Sequence, residues 1–163
     1  MANDKKTLVA YFSASGETER LARTIAQATG GDLHEIEPAV RYTAADLDWN
    51  DKRSRSSIEM NDPSSRPAVA SRVGNMDAYD IVFVGFPIWW YVAPTIVSTF
   101  LEAYDFSGKT VVPFATSGGS GLGGTESILH ERCSPETTWK PGKRLSSRAS
   151  EAEVARWVES LGL

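Results

Sequence analysis

The chain has 163 residues, close to the size of one ordinary domain, with 41% hydrophobic residues, 23% charged residues and a net charge of −4. That composition is globular and excludes disorder along the whole chain. The single cysteine, Cys133, excludes an internal disulfide framework and thiolate-cluster metal sites, and the mild acidity offers no basic stripe for nucleic acid.

A chain this long buries roughly 70% of the surface its unfolded form exposes, so it needs no staples. The first residues, Met-Ala-Asn-Asp-Lys-Lys, lead into an apolar run too short for a signal-peptide core. The greasiest stretch, Ile81 to Pro94, is broken by Gly85 and Pro87 and cannot span a bilayer. A soluble cytoplasmic protein of one domain, residues 1–163, is the expectation.

Thr7 to Phe12 is a continuous apolar run with β-branched and aromatic members, the pattern of a strand buried on both faces. After the small-residue turn Ser13-Ala-Ser-Gly-Glu-Thr18, Leu21, Ala22, Ile25 and Ala26 form one helical stripe that Gly30-Gly31 closes. Asp32 to Glu37 reads as a shorter, more exposed strand. Residues 38–78 are a long, charge-mixed connection of surface helix and loop, interrupted by Pro63 and Pro67. The strongest strand is Asp80 to Gly85, leading into Phe86-Pro-Ile-Trp-Trp-Tyr-Val-Ala-Pro94. Pro94 suits the start of a helix with Ile96, Val97, Phe100, Leu101 and Tyr104 inward. Lys109 to Ala115 is a further strand, and a helix is expected from about Thr125 to Arg132. A last short strand is expected within Trp139 to Leu145. Ser150-Glu-Ala-Glu153 is a capping box for a closing helix with Val154, Trp157, Val158 and Leu161 on its apolar face. Strands alternating with helices predict an α/β fold: a three-layer, doubly wound, five-stranded parallel sheet.

Ligands of such sheets bind beyond the carboxyl ends of the strands, where strand order reverses. Three loops there differ in chemistry. In the first, Ser13, Ser15 and Thr18 offer hydroxyls, Gly16 allows close backbone approach, and Glu17 can contribute its backbone N–H while its side chain faces water. Unpaired N–H groups and the dipole of the following helix suit a phosphate, without any basic residue in the loop. The competing role is a plain turn with Thr18 as helix cap. In the second loop, three neighbouring aromatics of Pro87-Ile88-Trp89-Trp90-Tyr91 cannot all enter one core, so at least one indole is expected to offer a stacking surface. Strand alternation assigns Trp90 to the ligand and Trp89 to the protein, although a loop allows the roles to be exchanged. The third loop, Ser117 to Gly124, is a backbone-rich edge. Its G-x-G-x-x-G at Gly119, Gly121 and Gly124 is a weak dinucleotide signal without a confirming acid downstream. Ser120 lacks the second glycine of a hydrolase elbow, because Leu122 stands there. Cys133 has no flanking basic cluster and reads as a small buried hydrophobe.

A phosphate loop, an aromatic platform and a backbone-lined edge together describe a mononucleotide with a flat ring, flavin mononucleotide (FMN). Here the sequence resembles the flavodoxin family over nearly its whole length. Ser13-Ala-Ser-Gly-Glu-Thr18 is similar to the family's T/S-x-T/S-G-x-T phosphate bracket, and Gly85-Phe-Pro-Ile-Trp-Trp90 to the second flavin loop of a bacterial branch. The resemblance implies strand order 2-1-3-4-5 and FMN as cofactor. Ser13, Ser15, Gly16, Glu17 and Thr18 would hold the phosphate. Pro87, Ile88, Trp89 and Trp90 would line the isoalloxazine, and Thr116, Ser117, Gly118, Gly119, Ser120 and Gly121 would meet its pyrimidine edge. No catalytic or metal-ligating set is indicated.

Three features depart from the best-known flavodoxins: glycines replace the tyrosine usual in the third loop, the net charge is mild, and no glycine adjoins the tryptophans of the second. Two functions stay open. One is a low-potential, non-enzymatic electron carrier between redox partner proteins. The other is a small FMN-dependent NAD(P)H:quinone-type oxidoreductase with a quinone-like acceptor, for which the glycine loop leaves a ring face free. Neither involves nucleic acid or a membrane.

Overall fold

The computed structural model describes residues 5–89, 92–116, 122 and 125–163. In chain order its elements are β1 (Thr7–Tyr11), α1 (Glu17–Thr29), β2 (Asp32–Glu35), α2 (Arg55–Met60), β3 (Ile81–Pro87), α3 (Thr95–Glu102), β4 (Thr110–Thr116), α4 (Thr125–His130), β5 (Thr138–Trp139), β6 (Lys143–Arg144) and α5 (Glu151–Ser160), with a 3-10 turn at Met76–Ala78 before β3. The strands lie parallel in the order β2-β1-β3-β4-β5, with β6 also paired to β4. The fold is flavodoxin-like α/β.

The expected last strand is two short ones. β5 pairs with the start of β4, at Thr110 and Val111, and β6 pairs with its end, at Phe114 and Ala115. The break falls at Lys140-Pro141-Gly142, where proline cannot donate to a ladder.

Alternation along the continuous apolar strands builds two cores, one on each face of the sheet. Leu8, Ala10, Val82, Val84 and Phe86 face the side covered by Ile96, Val97, Phe100 and Leu101 of α3 and Leu129 of α4. Val9, Tyr11, Ile81, Phe83 and Phe114 face Leu21, Ala22 and Ile25 of α1, Val154 and Trp157 of α5, and Leu161 just past its end. The closing helix starts where its capping serine predicts, with Ser150 Oγ accepting from the Glu153 N–H at 3.1 Å. Gly85 is required by packing: a Cβ there would stand 2.1 Å from the Phe114 ring of the neighbouring strand. Among the described residues no helix is long and apolar enough to cross a membrane.

Candidate functional site

Chain order puts β1 in the middle of the sheet, sends β2 to one side and returns β3 on the other, so the switch point lies between β1 and β3. The first two predicted loops leave from those strands, and the third leaves from β4 next to them. Backbone bonds fix the exits against each other. The Phe12 N–H donates to the Gly85 carbonyl at 2.9 Å, Pro87 pairs with Thr116, and the Ile88 N–H donates to the Thr116 carbonyl at 3.0 Å.

The first loop folds through Ser13, whose Oγ accepts from the Gly16 N–H at 3.0 Å. Gly16 then caps α1 with φ +92°, a left-handed conformation that favours glycine, and a Cβ there would meet nothing within 4 Å. Among the described residues no side-chain hydrogen bond caps this helix, so its first N–H groups have no side-chain acceptor there. Ser15, Gly16 and Glu17 are exposed. Glu17 and Glu19 occupy the first turn, and Glu19 is drawn back along the helix by Arg23 at 2.7 Å.

Thr18 does not cap the helix. It is buried, and its hydroxyl lies 2.8 Å from that of Thr116, itself buried at the end of β4. This one bond ties the first predicted loop to the third across 98 residues of sequence. Sequence pattern places Thr18 on a turn, since a single threonine carries no sign of a partner so far along the chain.

In the second loop, Ile88 and Trp89 are half-buried, and Trp89 packs inward. Trp89 and Val92 exchange two backbone hydrogen bonds of 2.9 and 3.1 Å. The Trp89 ring meets Phe12 edge-on at 5.7 Å between centroids and Tyr42 at 5.6 Å, while Phe12 and Tyr42 stand 5.5 Å apart. Trp90, Ser117, Gly118, Gly119, Ser120 and Gly121 lie outside the described residues, as do Gly123 and Gly124, so the predicted stacking indole and backbone edge fall there.

Tyr42 is the member of the site that pattern reading missed. It comes from the long connection, and that segment braces the tryptophan loop. The Tyr42 hydroxyl donates to Glu59, the Arg55 guanidinium lies 3.8 Å from the Tyr42 ring centre, and Arg55 Nε pairs with Glu59 at 2.9 Å. Burial, and then the bond to Glu59, hold the Tyr42 phenol well above its usual pKa. Arg55 and Glu59 are spaced i, i+4 on α2, and nothing in that spacing marks the ring they hold. Cys133 is half-buried, and burial pushes its thiol up to about 12, which favours the thiol over the thiolate. Among the described residues no cluster of His, Cys, Asp and Glu is placed to hold a metal ion.

The family model described as Flavodoxin matches residues 6–161. The chain belongs to the flavodoxin family. Two solved structures described as candidate flavoproteins, from Bacteroides eggerthii and Bacteroides uniformis, are each 51% identical to it. The first superposes with a TM-score of 0.92, covering 98% of this chain and 99% of that one; the second gives 0.90, with 96% and 99%. A flavoprotein of Lactobacillus acidophilus, solved in complex with FMN, shares the fold at 24% identity and TM-score 0.69, with 94% and 99% covered. None of the curated proteins matches.

Proposed function

We propose that this flavodoxin-family chain binds FMN at the carboxyl ends of β1, β3 and β4, and serves as a low-potential electron-transfer protein for redox partner proteins. The observation that carries this reading is the uncapped, open N-terminus of α1 behind Ser13-Ala-Ser-Gly-Glu-Thr18, joined to the end of β4 by the Thr18–Thr116 bond. The residues present fit the cofactor. N–H groups without a side-chain cap and the helix dipole suit a phosphate dianion, and exposed Ser15, Gly16 and Glu17 leave the turn accessible to it.

The hydroxyl pair has one further consequence. If Thr116 donates to Thr18, the Thr18 proton stays free, so a phosphate in the loop favours a chain running from Thr116 through Thr18 to the phosphate. Ser13 Oγ, already an acceptor from Gly16, has its own proton to give. The ring of the flavin would lie along Pro87, Ile88, Trp89 and Trp90 and along the edge Thr116 to Gly121, with Phe12 and Tyr42 stiffening Trp89 from behind.

When bound, FMN supplies reversible one- and two-electron redox chemistry. The chain sets how readily it is reduced. Neither residues 12–18 nor residues 85–92 include a lysine or arginine, and Glu17 and Glu19 stand at the phosphate end. Loops without cations disfavour the negative charge that reduction adds, which holds the potential low. The chain is proposed to work as one soluble domain in the cytoplasm.

A second reading, an FMN-dependent NAD(P)H:quinone-type oxidoreductase, is favoured by one observation: residues 117–124 contain no aromatic side chain to cover the outer ring face. Anaerobic photoreduction followed by visible absorption separates the two. The carrier reading expects a long-wavelength band at half-reduction and no NAD(P)H oxidation with a quinone. Direct two-electron reduction together with quinone-dependent NAD(P)H oxidation would overturn it in favour of the enzyme.

A further inference from the structure

Between α3 and α4, beside the second and third loops, lies a cleft of about 230 Å³ that the FMN reading leaves unused. Its apolar lining is Met60 from the end of α2, Val92 next to the tryptophan loop, and Ile128 and Leu129 of α4. Its polar lining is Thr95, Ser98, Thr125 and Arg132. Thr95 is nine-tenths buried, and its hydroxyl has no hydrogen-bond partner. Arg132 Nε donates to Ser98 Oγ at 3.2 Å, which leaves the serine proton available. No carboxylate among the described residues pairs with Arg132 at ion-pair distance; the Glu102 carboxylate, paired with Arg66, feels its charge from farther off.

Donors into the cleft are the Thr95 and Ser98 hydroxyls and the Arg132 guanidinium, with apolar surface around them. A buried donor without an acceptor costs free energy, so the complement is an acceptor oxygen, best an anionic one. A cavity of roughly 150 Å³ lined by aliphatic side chains holds a benzene ring, so this volume takes one ring and a carboxylate but not two fused rings with substituents. A sugar would need polar partners all round, and a cation would meet Arg132.

We propose that this cleft binds a small one-ring aromatic carboxylate, with the carboxylate on Arg132, Ser98 and Thr95 and the ring against Val92, Ile128 and Leu129. The site uses none of residues 13–18 and stands independently of FMN.

Titration of the full chain with benzoate, followed by methyl NMR, is the test. Saturable shifts centred on Met60, Val92, Ile128 and Leu129 are expected. Benzyl alcohol, of similar size but neutral, should bind about tenfold or more weakly, and benzylamine more weakly still, as loss of a charge-assisted bond predicts. Arg132→Gln should weaken benzoate by about tenfold or more while leaving benzyl alcohol nearly unchanged. The ligand series on the parent protein keeps the test valid should that variant fold poorly. Equal binding of benzoate and benzylamine, shifts scattered over the surface, or shifts centred on residues 13–18 would each overturn the proposal.

Discussion

Thr18→Val isolates the bond that joins the two ends of the site. Valine matches threonine in shape and has a similar helix propensity, so neither a cavity nor a backbone penalty enters. What is lost is the 2.8 Å contact between two buried hydroxyls, and Thr116, 4% exposed, is left without that partner. A neutral hydrogen bond contributes about 1 kcal/mol, and a stranded buried hydroxyl raises the cost to about 1–3 kcal/mol. For a chain of this length that lowers Tm by roughly 2–12 °C. Melting of the apoprotein by circular dichroism reads this first effect. FMN titration of the folded variant reads the second, a loss of affinity beyond any loss of stability. Thr18→Ser keeps the hydroxyl and should retain affinity close to the parent. A valine variant that melts with the parent and binds FMN equally well would refute the role given to this pair.

Tyr42→Phe keeps the ring against Trp89 and Phe12 but removes the hydroxyl that donates to Glu59, and should cost about 1.5–3 kcal/mol in urea unfolding; an unchanged midpoint would show that the Arg55–Glu59 pair suffices. Gly85→Ala drives a methyl into Phe114 and should destabilise by about 1–3 kcal/mol, measured the same way. His34 is half-buried against Phe100, and desolvation lowers its pKa. Its folded pKa therefore lies below the unfolded value of about 6.5, so its share of stability is full above that pH and is lost as pH falls through the folded pKa. His34→Gln should accordingly lose less stability than the parent between pH 7.5 and pH 5; identical losses would remove His34 from the acid sensitivity.

Legibility in the sequence follows the range of the interactions. β1, β3 and β4 announce themselves because strands buried on both faces are continuous apolar runs, and α5 because its capping serine and apolar stripe are local. The phosphate-loop pattern is local too, and it lies at the end of β1 beside the switch point. The Thr18–Thr116 bond, the fit of Gly85 to Phe114 and the clasp of Tyr42 on Trp89 depend on partners 98, 29 and 47 residues away, and nothing in their neighbouring residues marks them. The connection from 38 to 78 reads as charged surface because Arg55 and Glu59 are polar, although their pairing is what lets them approach the aromatic cluster.

Residues 13–18 are proposed to hold a phosphate, which calorimetric titration of the apoprotein with FMN and, separately, with riboflavin tests most directly. Each charge-assisted hydrogen bond to the phosphate contributes about 1.5–3 kcal/mol, so FMN should bind tighter by well over tenfold. Equal affinity for the two would contradict the claim, because the flavin would then be held by its ring alone.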